Sequence, residues 1–221
     1  MTQPSSPSPE EFAAQERYSE ERYPEDGLLR SVRQAIAEAG MPEVSVAPGY
    51  GRLLTMLVRL SGTRQALEIG ALGGYSGICL ARGLPAGGRL TSLELKPEYA
   101  AMARTHLEAA GFGAAVDYRI GPALESLKQL EAEGRRFGFF FIDADKENYP
   151  DYLEAAIRLA EPGAVIAGDN LFLRGRTLNL AKNGPAVQAM RRFNETIAGD
   201  PRLESTILPA YDGLALAIVR G

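Results

Sequence analysis

From Ala66 onward, short apolar runs alternate along the chain with segments whose apolar positions recur at helical spacing. The runs Ala66–Ile69, Arg89–Leu95, Ala115–Ile120, Phe137–Ile142 and Ala164–Gly168 predict strands. Between and after them, Tyr75–Gly83, Pro97–Ala110, Leu124–Glu133, Tyr149–Ala160 and Pro185–Ile197 predict helices. Two late strands, Leu203–Leu208 and Leu214–Arg220, flank the turn-forming Pro209–Gly213 and fit an antiparallel pair at one edge. Ahead of this alternation, Glu11–Gly40 reads as helical: Leu28, Leu29, Val32, Ile36 and Ala39 fall at helical spacing, and Gly40-Met41-Pro42 stops it. Another helix is expected from about Gly49 to Leu60, with Leu53, Leu54, Leu57 and Val58 as its apolar face.

The alternation predicts an α/β fold. It is a Rossmann-like, doubly wound and mainly parallel sheet of seven strands, with helices on both faces and the antiparallel pair at one edge. Residues 1–10 are rich in Pro and Ser and are expected to form a loose tail. Residues 11–221 are expected to form a single domain, without internal repeats. Within it, residues 11–60 should contribute to a substrate site or a homodimer surface.

Composition narrows the chemistry. A formal net charge of -4 argues against a nucleic-acid partner held by phosphate contacts. No stretch is long and apolar enough to span a membrane, and the first residues lack the pattern of a signal peptide, so a cytoplasmic location is expected. Cys79 is the only cysteine and lies in an apolar stretch, where a small buried side chain is the simplest reading. His106 is the only histidine. A multi-histidine metal site is therefore excluded, and His106 itself reads as a helix surface residue.

In a doubly wound sheet, ligands bind beyond the carboxyl ends of the strands, where strand order reverses. The first such turn is Glu68-Ile69-Gly70-Ala71-Leu72-Gly73-Gly74-Tyr75-Ser76. Its glycines allow close backbone approach to a ligand. Glu94 closes the next strand, where a carboxylate can accept hydrogen bonds from ribose hydroxyls. Glu68 stands where a dinucleotide would bring its pyrophosphate, and the glycines depart from G-x-G-x-x-G. S-adenosylmethionine, with its ammonium and sulfonium groups, is favoured over NAD. The plainer alternative is that Glu68 and Glu94 only solvate strand ends.

Two other strands run into acidic groups: Phe139-Phe140-Phe141-Ile142 into Asp143-Ala144-Asp145-Lys146, and Val165-Ile166-Ala167-Gly168 into Asp169-Asn170. If the strands are parallel, Asp143, Asp169 and Asn170 share one sheet edge with the glycine turn. Three hard oxygen ligands suit Mg²⁺, or less selectively Mn²⁺ or Ca²⁺. Alternatively, each Asp simply ends a strand and caps the next helix or turn.

On these motifs the chain resembles the cation-dependent class I O-methyltransferases, the group that includes catechol and caffeoyl-coenzyme A O-methyltransferases. The resemblance rests on Ala66–Gly70 through Gly74–Gly77, Ser92-Leu93-Glu94, Gly121–Leu124, Asp143–Tyr149, Asp169-Asn170 and Asp212-Gly213-Leu214, and extends from about Val44 to the C-terminus. It implies that Val46 lines the methionine part of the cofactor and that Glu68, Gly70, Ala71 and Ser76 supply the glycine-turn contacts. It further implies that Glu94 binds the ribose, that Ala123 and Asp145 flank the adenosyl group, and that Asp143, Asp169 and Asn170 hold the metal, with Asp143 shared between cofactor and metal. Lys146 matches the lysine that acts as general base in the catechol enzymes.

The implied reaction is displacement at the methyl carbon by a hydroxyl of a phenolic or catechol-like small molecule. Lys146 takes the proton, or else only pairs with Asp143 or Asp145. Substrate choice is expected in the N-terminal helices and in Leu171–Gly184. Arg174 stands where plant coenzyme A ester enzymes commonly have an asparagine, and Ile207–Tyr211 lacks the carboxylate of the catechol enzyme. Neither relative's specificity can be copied. The rivals are a binding protein of the same fold without turnover, and an NAD-dependent enzyme.

Overall fold

The computed structural model describes residues 8–221. It begins with three helices, α1 (Pro9–Arg22), α2 (Gly27–Glu38) and α3 (Pro48–Ser61). The alternating part comes next, as β1 (Gln65–Ile69), α4 (Tyr75–Gly83), β2 (Arg89–Glu94), α5 (Pro97–Ala109), β3 (Val116–Ile120), α6 (Ala123–Ala132), β4 (Phe137–Ile142), α7 (Tyr149–Leu159) and β5 (Ala160–Asp169). The chain ends with α8 (Pro185–Gly199), β6 (Leu203–Leu208) and β7 (Leu214–Val219).

The seven strands lie in the order β3-β2-β1-β4-β5-β7-β6. β1 to β5 are parallel, while β7 runs antiparallel to both β5 and β6. This is the expected doubly wound sheet with an antiparallel pair at one edge. Strand order reverses between β1 and β4, so the carboxyl ends of those two strands frame the crevice.

Alternation along the central strands fills a core on each face. Phe140 and Ile142 pack beneath α6, α7 and α8, whereas Phe139 and Phe141 point into the layer that holds α2 to α5. All four side chains are fully buried. Strands buried on both faces read as continuous apolar runs, which is why β4 is conspicuous in the sequence.

The structure departs from the sequence reading at three places. The single helical stretch Glu11–Gly40 is two helices, separated at Tyr23-Pro24-Glu25-Asp26. Pro24 has no amide hydrogen to continue a helix, and Asp26 caps the next one by accepting from the Leu29 amide at 3.0 Å. β5 starts at Ala160 and extends well before the apolar run that announces it. Of the expected tail, residues 1–7 lie outside the described residues. Pro9 and Glu10 belong to α1, which Ser8 opens with a reciprocal capping box to Glu11. No helix among the described residues is long and apolar enough to cross a membrane, and Cys79 is free and buried.

Candidate functional site

A cavity of about 600 Å³ opens at the carboxyl ends of β1, β2 and β4. Of the sequence-predicted residues, Val46, Gly70, Ala71, Ser76, Glu94, Ala123, Asp143, Asp145, Lys146 and Asn170 all line it. Glu68 and Asp169 do not.

The glycine turn approaches its neighbours closely. Gly70 has φ +101°, and a Cβ there would lie 2.1 Å from the Asp143 carbonyl oxygen. Any side chain would push β1 and β4 apart. Gly73 is pressed as tightly, since a Cβ would meet Ile36 Cγ1 at 2.3 Å. The turn's free amides are taken by Glu94, whose Oε2 accepts from Ala71 N at 3.1 Å and Leu72 N at 2.9 Å. Glu94 Oε1 accepts from Lys96 N at 3.0 Å. One carboxylate thus fixes the turn while still facing the cavity.

Glu68 acts from behind the turn. Its side chain is 1% exposed and accepts from the Ser76 and Ser92 hydroxyls, each at 2.6 Å. It ties α4 to β2. Burial drives its carboxyl up to about 7, against the two serine hydrogen bonds, which lower it. Glu68 is buried between α4 and β2 and does not line the cavity.

The acidic strand ends do come together. Ile142 pairs with Gly168 in the parallel β4–β5 register, so Asp143 and Asp169 are the next residues of adjacent strands. Asp169 is 3% exposed, and its carboxyl is pushed up by burial and then by the charge of Asp143. Asn170 is next, with φ +63°, a left-handed conformation that asparagine tolerates better than most residues. Lys146 Nζ donates to Asp143 Oδ1 at 2.8 Å and to the Tyr149 hydroxyl at 2.7 Å. The alternative pairing with Asp143 is thus present, and Lys146 still lines the cavity.

Tyr149 is not among the sequence-predicted site residues. It is fully buried at the start of α7, and its hydroxyl donates between the carbonyls of Ile142, at 3.1 Å, and Asp169, at 3.0 Å. It therefore clamps the ends of β4 and β5, which carry the two aspartates. A signal exists in the sequence: a tyrosine three residues after Lys146, at a helix start that must bury its first turn. Asp145 is oriented similarly, accepting from Tyr152 and Asn148 at 2.5 Å each. His106 is half-buried, and its Nδ1 lies 2.7 Å from the Gly73 carbonyl oxygen. It braces the glycine turn from α5, contrary to its reading as a surface residue. The contact spans 33 positions of sequence, which helical periodicity cannot reveal.

Comparison with known proteins bears on this site. A model of the O-methyltransferase family matches residues 16–220. A catechol O-methyltransferase of Niastella koreensis is 43% identical over 202 residues, spanning 89% of this chain and 91% of its own. The crystal structure of an O-methyltransferase from Bacillus cereus in complex with SAH has a TM-score of 0.87 at 44% identity, covering 94% of this chain and 97% of that one. The O-methyltransferase TomG of Streptomyces achromogenes, involved in tomaymycin synthesis and solved in complex with SAM, has a TM-score of 0.88 at 36% identity. There the match covers 98% of this chain and 100% of that one.

Proposed function

The chain belongs to the O-methyltransferase family, and from that membership we propose that it transfers the methyl group of S-adenosylmethionine to a hydroxyl of a catechol-like small molecule. We further propose that a divalent cation, Mg²⁺ by the chemistry of its donors, is held by Asp143, Asp169 and Asn170. The observation that supports this reading is the β4–β5 register, which sets Asp143, on the cavity wall, beside the buried Asp169.

The residues fit a hard cation. All three side-chain donors are oxygen, with no imidazole or thiolate among them, and Asp169 is buried beside another carboxylate. Such a cation supplies Lewis acidity to adjacent acceptor hydroxyls and orients them. Neighbouring hydroxyls on one ring are the natural acceptor for that geometry.

The chain's own residues supply the remainder. Glu94 faces the cavity and is suited to accept from ribose hydroxyls. Gly70 and Ala71 let backbone approach the ligand without a large side chain between. Lys146 Nζ, hydrogen-bonded to Asp143 and Tyr149, is the candidate base: as the neutral amine, with the bound cation balancing Asp143 in its stead, it would take the acceptor proton as the C–O bond forms and the C–S bond breaks. Holding both reactants in line can itself lower the barrier by about 7–11 kcal/mol.

The test is transfer of a labelled methyl group from S-adenosylmethionine to a panel of catechols and hydroxycinnamoyl esters, with and without chelator. Transfer to vicinal diols that stops with chelator and returns with Mg²⁺ is expected. Donor binding without transfer to any diol would favour a binding protein. Transfer indifferent to chelator would overturn the role of the metal.

A further inference from the structure

A second cavity, of about 260 Å³, lies between the α1–α2 break, α3 and α4. It backs onto the first, because Tyr75, the opening residue of α4, lines both. None of the residues assigned above to cofactor, metal or proton transfer lines it. Its volume has room for one compact molecule.

α3 turns one stripe toward this cavity. Arg52, Thr55, Met56 and Arg59 all line it, at the three- and four-residue spacing of a single helix face. A different stripe of the same helix, Tyr50, Leu54 and Val58, is buried in the core. The fold is therefore held without the arginines, which are both exposed.

The acids of this cavity already have their partners. Glu25 Oε1 accepts from the Tyr75 hydroxyl at 2.6 Å, and from Arg33 Nε and Nη2 at 3.2 and 3.0 Å. Asp26 accepts from the Leu29 amide at 3.0 Å and pairs with Arg82, the third arginine of the lining. Arg52 and Arg59 have no such partner: neither forms an ion pair among the described residues. Arg52 lies over the Tyr23 ring, 5.4 Å from its centre, and Arg59 donates to the Arg82 carbonyl oxygen at 3.2 Å. Each guanidinium carries five N–H donors, so both keep several to spare. Scattered surface arginines are usually only solvated. Here two share the rim of one concavity whose carboxylates are spoken for, which leaves its charge positive. Behind the rim the lining becomes apolar, with Leu29, Tyr75 and Cys79 all buried.

We propose that this second cavity binds a small organic anion, a carboxylate or phosphate group joined to a compact apolar body. Arg52 and Arg59 engage the anionic group from the two ends of the α3 stripe, since the guanidinium fork matches either group. The apolar body lies against Leu29 and the Tyr75 ring. The proposal goes beyond the methyl-transfer reading and does not depend on it.

The experiment is calorimetric titration of phenyl phosphate into the full chain, with inorganic phosphate as the comparison, and a thermal melt of every variant. Phenyl phosphate should bind at millimolar concentration or below, more tightly than inorganic phosphate. It should still bind when the protein is saturated with S-adenosylhomocysteine. Arg52→Gln and Arg59→Gln should each weaken it about 3–10-fold, a lost charge-assisted contact discounted for solvent. The double variant should lose about 10-fold or more. Met56→Glu, which sets a carboxylate between the two arginines, should weaken binding without removing either of them. Failure of phenyl phosphate to bind, or unchanged affinity in the double variant and in Met56→Glu, would overturn the site. Binding abolished by S-adenosylhomocysteine would place the probe in the first cavity and overturn it equally. Inorganic phosphate bound as tightly as phenyl phosphate would overturn the role of the apolar body. A chain that binds no S-adenosylhomocysteine would count against the methyl-transfer reading alone, because the variants locate the phenyl phosphate site without it.

Discussion

Lys146 carries two contacts whose lengths are nearly equal, 2.8 Å to Asp143 and 2.7 Å to the Tyr149 hydroxyl. A lysine that only balanced Asp143 would not need the second. The tyrosine hydroxyl is itself fixed by two strand carbonyls, so it fixes Nζ in turn. For Lys146→Gln we predict a fall in kcat of about 10²-fold or more, in the range of a lost general base. The dissociation constant for S-adenosylhomocysteine should move little. Stopped-flow or steady-state kinetics beside calorimetry would separate the two, and an equal loss of donor affinity would mark Lys146 as part of the binding wall instead. Much at this scale is legible in the sequence. Asp143, Asp169 and Asn170 stand out because each comes after a buried apolar run, and a polar group there has to leave the sheet at its carboxyl edge. His106 and the buried carboxyl of Glu68 are not legible in the same way. Their partners are fixed by packing between elements, such as the 33 positions between His106 and Gly73, and no local pattern encodes that.

At the scale of elements, two short segments place the site. The first is the turn between β1 and α4. Gly70→Ala would set a methyl group 2.1 Å from the Asp143 carbonyl oxygen in a left-handed conformation. We predict a loss of about 2–3 kcal/mol in stability, from backbone strain and overpacking together. Urea unfolding would measure it, and a variant as stable as the parent would show that β1 and β4 can separate there freely. The second segment is the break between α1 and α2. Asp26→Ala should destabilise the protein by about 1 kcal/mol through loss of the α2 cap, whereas Asp26→Asn should retain most of it. A loss in Asp26→Asn equal to that in Asp26→Ala would assign the effect to the Arg82 ion pair. Strands and helices are well marked by period, since two-sided burial makes β4 a run and one-sided burial makes α2 a stripe. The break between α1 and α2 escapes periodicity because the polar positions of α1 and the stripe of α2 together pass for one long amphipathic pattern. The cue is local, in Pro24 and Asp26, and periodicity averages over it.

The whole molecule stores an ionisable group where the sheet is best sealed. Glu68 lies between α4 and β2 with two serine hydroxyls on it, and burial raises its carboxyl to about 7. In the unfolded chain a glutamate titrates near its ordinary value of about 4.3. Between those two pH values the folded state binds the proton and the unfolded state does not. The folded protein therefore holds more protons, and stability falls as pH rises through that window. At about 1.4 kcal/mol per pH unit the loss attributable to Glu68 is about 3–4 kcal/mol, complete above about pH 7. Glutamine at this position has similar shape, and the serine hydroxyls can turn to donate to its oxygen and accept from its nitrogen. Glu68→Gln should match the parent near pH 4 and exceed it by about 3 kcal/mol near pH 8. Chemical unfolding of both proteins across that range isolates the effect, because every other titrating group is common to the pair. Parallel stability curves would mean that the Glu68 proton leaves at an ordinary carboxylate pH despite burial. The predicted divergence would mean that the carboxylate costs stability across the physiological range, beside whatever the buried Asp169 carboxyl contributes. The cost falls on burial of the charge and not on the bridge from Ser76 to Ser92, because a carboxylate accepts from both serine hydroxyls and those two bonds favour its ionised form.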